Sequence, residues 1–270
     1  MSGPERLVLL GHPVAHSLSP RIHNAAIAAA GLRAHYEAVD VNPPQFEEVV
    51  DALKRERAAG NVTIPFKERM LAVCNALSPL ARRTGAVNTW WVDDDGQVVG
   101  DNTDVGGFDV AARQALECER PRDLTVGVLG AGGAAAAVLA TIESWSGCMA
   151  HVYNRTPERA RTLCARFSPV AQPVDDVGVV GGADLVVNAT SVGLKDDSLP
   201  FDLSVVRRDA IVIDLVYRPG ATAFVRALRA RGTRATDGTA MLVEQAALAF
   251  EKWFAVTPDR SAMWETLDRT

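Results

Sequence analysis

"LTVGVLGAGGAAAAVLATI", residues 124–142, sets a short apolar run, a glycine-rich turn and an alanine-rich helical stretch in immediate succession. Val126 to Leu129 reads as a buried strand. Gly130 to Ala135 fits G-x-G-x-x-A, the pattern that joins the first strand to the first helix of a dinucleotide-binding fold. Each position has a mechanical reason. Gly130 permits the tight turn, Gly132 lets the backbone approach a pyrophosphate, and Ala135 allows close packing of helix on sheet. The N–H groups around Ala131, Gly133 and Ala134 are then left without intrahelical partners and face the phosphates. A plain strand-to-helix turn with no ligand is the alternative.

Working downstream, "MAHVYNRT" (149–156), "ADLVVNAT" (183–190) and "AIVIDLVY" (210–217) are further apolar strands, with helical segments between the first two. Strands alternating with helices predict a parallel sheet with right-handed crossovers. The end of the second strand sets the cofactor. A free ribose hydroxyl calls for Asp or Glu about 20 residues after the glycines. Here "NRTPERA" (154–160) places Asn154 and Arg155 instead, with Arg159 four residues beyond. A carboxylate would repel a 2′-phosphate, whereas a guanidinium pairs with it through two hydrogen bonds. The sequence therefore points to NADP rather than NAD; two solvated surface arginines are the plainer alternative.

Upstream, "GHPVAHSLSPRIHN" (11–24) follows a strand over Leu7 to Gly11 and opens a helix from Pro20 to Gly31. Proline is favoured at the first helical position, which makes Ser19 the N-cap. Ser17 is then not needed as a cap. Two hydroxyls beside a helix N-terminus make a site for a carboxylate, to which the dipole adds roughly 0.3–1 kcal/mol. His12, His16 and His23 show no metal-ligand spacing and read as hydrogen-bonded turn and core residues. A second strand is expected near His35 to Val41 and a second helix near Pro44 to Ala59. "GNVTIPFK" (60–67) reads as a strand that Pro65 cuts short, leaving Thr63 and Lys67 at its end. "GAVNTWWV" (85–92) and "VVGDNTD" (98–104) flank an acidic turn as a hairpin, and Val105 to Leu116 is helical. Asn102, Thr103 and Asp104 suit a turn equally well. Together these stretches offer hydroxyls, amides, one lysine and one carboxylate, a set suited to a small polyhydroxylated acid.

The 270 residues can bury a sizeable core; 48% are apolar and 23% charged, as in a soluble globular protein. The net charge of -5 argues against nucleic acid or an anionic membrane as partner. No apolar run is long enough to span a membrane, and Leu7 to Leu10 is too short for a signal-peptide core, so the chain reads as beginning near Met1 and working in the cytoplasm. Cys74, Cys118, Cys148 and Cys164 are scattered, without a CxxC, and read as reduced and buried; no metal is expected. The fold class is α/β with two domains. Residues 1–106 form an α/β substrate-binding domain and 107–238 a Rossmann-type, doubly wound NADP-binding domain. Thr239 to Phe254 is one amphipathic helix, and residues 239–270 pack back on the first domain.

As a set, in this order, "GHPVAHSLSPRIHN", "NVTIPFK", "GAVNT", "GDNTD", "GAGGAA", "NRT", "NATSVGL", "DLVY" and "MLVEQAA" resemble the shikimate dehydrogenases, from Gly11 to about Trp253. The resemblance implies two α/β domains with a cleft between them and reversible reduction of 3-dehydroshikimate to shikimate with NADPH, in aromatic amino acid biosynthesis. It further implies that Ser17 and Ser19 hold the substrate carboxylate, that Thr63, Asn88, Asp104 and Gln245 bond its hydroxyls, and that Lys67 with Asp104 is the catalytic pair. Asn154, Arg155 and Thr156 would bind the adenosine ribose and its phosphate. Asn188, Thr190, Gly238 and Met241 would lie near the nicotinamide half, and Tyr217 near the substrate. Three positions depart from the family's pattern: Ile27 stands for phenylalanine, Ala240 for glycine in "DGTAML", and Ala136 where a larger residue is common. Quinate or aminoshikimate is the alternative substrate on the same fold. A non-catalytic NADP-binding sensor is the alternative from another class, against which the presence of both Lys67 and Asp104 speaks. The expected partner is a small molecule, with the chain a monomer or homodimer.

Overall fold

A computed structural model describes residues 3–267. The chain divides into two compact units. One holds the residues up to Gly107 and those from Leu242 onward; the other is Phe108–Met241.

The first unit contains β1 (Arg6–Gly11), α1 (Ser19–Ala29), β2 (His35–Asp40), α2 (Phe46–Arg55), β3 (Ala59–Val62), α3 (Lys67–Val73), β4 (Ala76–Leu77), α4 (Pro79–Thr84), β5 (Thr89–Val92) and β6 (Val98–Asp101), and the start of α5 (Asp104–Leu116). Its six-stranded sheet runs β2-β1-β3-β5-β6-β4. β1 is parallel to β2 and β3, while β5 is antiparallel to β3 and β6. The run Leu7–Leu10 is buried on both faces, as a central strand with parallel neighbours requires. α2 buries Phe46, Val50 and Leu53 at helical spacing and carries Glu47 and Glu48 in its first turn and Lys54 and Arg55 in its last, matching the helix dipole. These side chains pack with Val8, Leu10, Phe66, Met70 and Trp90 in one core.

The expected boundaries need correction here. α2 ends at Arg55, because Ala59–Val62 pairs with β1 as a central strand despite its weak strand propensity. Gly60 makes that pairing possible: a Cβ there would lie 1.9 Å from the Val8 carbonyl oxygen. β3 stops at Val62, two residues before the cis peptide at Pro65 is reached. Lys67 is therefore not at a strand end but is the first residue of α3.

The second unit contains the rest of α5, then β7 (Thr125–Leu129), α6 (Gly133–Ser144), β8 (Met149–Tyr153), α7 (Pro157–Arg166), β9 (Ala171–Pro173), α8 (Val177–Gly181), β10 (Leu185–Asn188), β11 (Ile211–Asp214), α9 (Ala223–Ala230) and β12 (Arg234–Thr236). All its strands are parallel, in the order β12-β11-β10-β7-β8-β9. Counted within the unit this is the order 3-2-1-4-5-6 of a doubly wound dinucleotide fold, reversing direction between β7 and β10. α10 (Thr239–Phe254) and α11 (Arg260–Glu265) follow. Among the described residues, no helix is long and apolar enough to cross a membrane. The cysteines are unpaired; Cys148 and Cys164 are buried, but, contrary to expectation, Cys74 is only partly buried and Cys118 is exposed, the latter because it follows the end of α5 rather than lying in a core.

Candidate active site

The strand registers bring the polar residues of the first unit to one edge of its sheet. β1, β3 and β6 point the same way, so the loops after Gly11, Val62 and Asp101 leave the same edge; β5 runs oppositely, so Asn88, just before it, joins them. Ser17 and Ser19, Thr63 and Lys67, Asn88, and Asp104 follow or precede those four strand ends.

Four of the expected residues make one hydrogen-bonded cluster. Lys67 Nζ lies 2.6 Å from Asp104 Oδ2. Asn88 Nδ2 donates to Asp104 Oδ1 (2.8 Å), to Thr103 Oγ1 (3.0 Å) and to Gln245 Oε1 (3.3 Å). Asn88 Oδ1 accepts the Thr103 N–H at 2.7 Å. The Asn88 amide is 2% exposed and its bonding capacity is spent on orienting its neighbours. The Asp104 side chain is 7% exposed and that of Lys67 20%, so the carboxylate is sealed on one side while the ammonium retains an open face. Asn102 completes the scaffold: its Oδ1 accepts the Asp104 N–H (3.1 Å), and its Nδ2 donates to Thr84 Oγ1 and the Ala86 carbonyl (both 2.9 Å). The Asn102–Thr103 pair, which suits a plain turn by sequence, thus fixes the start of α5.

Ser17 Oγ donates to Ser19 Oγ and accepts the Ser19 N–H, both at 3.2 Å. This corrects the expected cap. Leu18 already has helical backbone angles and takes the cap position without a side-chain bond, so Ser19 lies inside α1 and Ser17 supplies the oxygen for its N–H. Thr63 packs against Gly11 at the adjoining strand end, where a Cβ on the glycine would meet its Cγ2 at 2.5 Å. His12 Nδ1 lies 2.6 Å from Asp40 Oδ1, and that bond holds the Asp40 carboxyl below its usual range. His16 is exposed. His23 is a core residue as expected, but neither ring nitrogen makes a well-formed hydrogen bond among the described residues. It stacks on Tyr36 with centroids 4.3 Å apart, and burial pushes it down to about 3, against a smaller opposing pull from the Asn61 side chain. Among the described residues, no three His, Cys, Asp or Glu side chains gather where a metal ion could bind.

In the second unit the parallel strands again carry the expected residues to one edge: Gly130 after β7, Asn154 after β8, Asn188 at the end of β10, Tyr217 after β11 and Gly238 after β12. Gly130 has φ +104, and a Cβ there would lie 2.9 Å from the Ala189 carbonyl oxygen, so only glycine makes the turn. Gly132 precedes α6 in extended backbone, and a Cβ there would meet nothing within 4 Å. That open space beside the helix N-terminus is where a dinucleotide's pyrophosphate would approach. Ala131, Gly133 and Ala134 are only half-buried there, whereas Ala135 is fully buried against the sheet. Asn154 Nδ2 bonds the Thr156 carbonyl at 2.8 Å. Arg155 and Arg159 are exposed, and neither side chain makes a hydrogen bond or ion pair among the described residues, in contrast to Arg161 on the same helix, which pairs with Glu158 and Asp175. Open glycine, free N–H groups and two unpaired guanidiniums fit NADP.

Asn188 is fully buried; its Oδ1 accepts the Thr190 N–H (3.1 Å) and hydroxyl (2.7 Å), and its Nδ2 donates to Asp214 Oδ1 (2.8 Å). Asp214 also accepts from Thr222 Oγ1 (2.6 Å) and the Val216 N–H (3.2 Å); burial nevertheless pushes its carboxyl up. Sequence reasoning missed Asp214 as the anchor of the Asn188–Thr190 turn. The signal was a carboxylate at the end of the wholly apolar strand "IVID", where an unpaired charge is too costly to keep.

Residues 9–90 match the shikimate dehydrogenase substrate binding domain, and residues 238–267 the shikimate 5′-dehydrogenase C-terminal domain. A shikimate dehydrogenase (NADP(+)) of Rubrobacter xylanophilus is 43% identical over 268 residues, 96% of this chain and 94% of the relative. The chain belongs to the shikimate dehydrogenase family. Among solved structures of the family, that from Thermus thermophilus in complex with NADP(H) and shikimate has a TM-score of 0.88 at 40% identity, over 98% of both chains. The Aquifex aeolicus shikimate dehydrogenase has a TM-score of 0.90 at 32% identity, over 97% of both. Two of the three departures from the family's pattern are quiet in this chain: Ile27 and Ala136 are buried in packed surroundings. Ala240 lies in the first turn of α10 with no positive φ, so alanine is unstrained there.

Proposed function

We propose that this chain catalyses the reversible reduction of 3-dehydroshikimate to shikimate with NADPH, with Lys67 and Asp104 as the acid–base pair. The observation that carries the reading is the 2.6 Å contact of a partly open lysine with a carboxylate whose other oxygen is already taken by Asn88.

NADPH, when bound, supplies the hydride that turns the ring ketone into an alcohol. The chain's own residues handle the negative charge that grows on the ketone oxygen. Lys67 Nζ stabilises that charge and delivers the proton, which it regains from solvent. Asp104 Oδ2 holds the ammonium in place and keeps capacity for a ring hydroxyl, while Oδ1 is fixed by Asn88 and the backbone by Asn102. Ser17 and Ser19 take the substrate carboxylate; their mutual 3.2 Å contact already sets two hydroxyls side by side. Thr63, Asn88, Asp104 and Gln245 serve the ring hydroxyls, Asn88 chiefly by orienting Asp104 and Gln245. Tyr217 is assigned to the substrate as well.

The second unit is the NADP-binding domain in this reading. The α6 N-terminus with Gly130, Ala131, Gly132, Gly133 and Ala134 takes the pyrophosphate. Asn154, Arg155, Thr156 and Arg159 take the adenosine ribose and its phosphate. Asn188, Thr190, Gly238 and Met241 serve the nicotinamide half. Four cysteines without a disulfide suit the reducing cytoplasm. The test is nicotinamide absorbance in a mixture of enzyme, shikimate and NADP, repeated with quinate and with NAD. Turnover confined to the quinate mixtures, or none at all despite dinucleotide binding, refutes the proposal.

A further inference from the structure

The proposed pair leans on a second ion pair that the mechanism does not use. Asp101, the last residue of β6, has a side chain only 6% exposed, and Lys252 Nζ from α10 lies 3.0 Å from its Oδ2. Asp101 Oδ1 accepts the Asn102 N–H at 2.7 Å and the Ser78 hydroxyl. The Asp101 carbonyl accepts the Asn88 N–H at 3.1 Å. Asp101 therefore bonds directly to the backbones of Asn88, whose side-chain amide orients Asp104, and of Asn102, whose side chain holds the start of α5.

Lys252 stands seven residues beyond Gln245 on α10, two turns along the same helix face. The helix is tied to the strand ends at two polar points: Gln245 Oε1 to Asn88 at 3.3 Å, and Lys252 to Asp101. Between them the helix buries Ala246, Ala247, Ala249 and Phe250, and Gln245 lies so close to Gly107 that a Cβ on the glycine would be 2.8 Å from the Gln245 N. That packing holds the helix on the core, and the two polar ties set its polar side chains against the strand ends.

We infer that Lys252 is a positioning residue: its pairing with Asp101 fixes α10 in register with the strand ends so that Gln245 and Asp104 present their polar atoms together. This rests on the function proposed above. Lys252 itself is half exposed and far along the chain from every motif of the site, and it touches neither Lys67 nor Asp104.

The test uses the full chain with Lys252→Met, Lys252→Arg and Asp101→Asn. Steady-state kinetics are measured against shikimate and against NADP, shikimate affinity is measured by calorimetry, and melting temperature is recorded. The expected result is that Lys252→Met raises KM and Kd for shikimate about tenfold and leaves KM for NADP within about twofold. Lys252→Arg restores shikimate affinity to near the parent value. Asp101→Asn produces the same shift, and combining it with Lys252→Met adds little more. Parent-like shikimate constants in Lys252→Met, a melting shift with no change in either KM, or equal losses toward both substrates overturns the inference while leaving the function intact. Absence of shikimate-dependent turnover in the parent enzyme overturns the function, and the inference with it.

Discussion

Replacing His23 with phenylalanine separates burial from chemistry in the first unit. The histidine is fully buried and stacked on Tyr36, with Trp253 5.0 Å away, and neither ring nitrogen makes a well-formed hydrogen bond among the described residues, Asn61 being the one polar side chain that acts on it. Its folded-state value is about 3 against an ordinary 6.5. The folded chain therefore refuses a proton that the unfolded chain binds below pH 6.5, so stability falls as the pH drops through the window between 6.5 and 3. The slope is about 1.36 kcal/mol per pH unit, so at about pH 4.5 the loss reaches about 3 kcal/mol relative to neutral pH. His23→Phe removes the titration while keeping the stacked ring. The variant is expected to lose about 3 kcal/mol less than the parent between neutral pH and about pH 4.5, whatever the two stabilities are at neutrality. Urea unfolding followed by tryptophan fluorescence reads this directly, because Trp90, Trp91, Trp253 and Trp264 all lie in the first unit and only Trp145 in the second. Equal acid sensitivity of the two proteins, or a His23 ring that titrates near 6.5 by NMR in the folded chain, refutes the reasoning.

Three further outcomes follow from the geometry. Arg155→Ala removes an unpaired guanidinium and is expected to raise KM for NADP about tenfold, the low end for charge-assisted bonds at an exposed site, with KM for NAD almost unchanged; steady-state kinetics with both dinucleotides check it. Gly132→Ala enters open space in backbone that any residue adopts, so the melting temperature holds while KM for NADP rises roughly tenfold or more; a thermal melt beside the kinetics separates the two. Ser17→Ala is expected to raise KM for shikimate severalfold at constant kcat, because the carboxylate is bound alike in ground and transition states; a normal KM removes Ser17 from the carboxylate site.

Much of this was legible in the residues because several motifs carry their own geometry. Gly130 to Ala135 announced a strand, a positive-φ turn and a helix, and the structure has all three. The hairpin around Asp93 to Gly96 is present with β5 and β6 antiparallel. What stayed hidden depends on partners far away in sequence. "AGNV" holds little strand propensity and becomes a central strand only because β1 accepts it. The short helices α3 and α4 between Lys67 and Thr84 have too few turns to show a period. The Ser19 cap failed because Leu18, beside it, turned helical first. The hydrogen bonds of Asn88 reach Gln245 across 157 positions, and no local pattern signals such a tie. His23 looked like any core histidine; that neither nitrogen makes a well-formed hydrogen bond among the described residues could be learned only from what surrounds it.

The most direct measurement of the central claim is the turnover of shikimate with NADP by the Lys67→Ala enzyme beside the parent. Loss of the group that carries the proton is expected to cut kcat by at least about a hundredfold, with a far smaller change in the affinity for shikimate. A variant that turns over at the parent's rate would show that the ammonium 2.6 Å from Asp104 takes no part in the reaction.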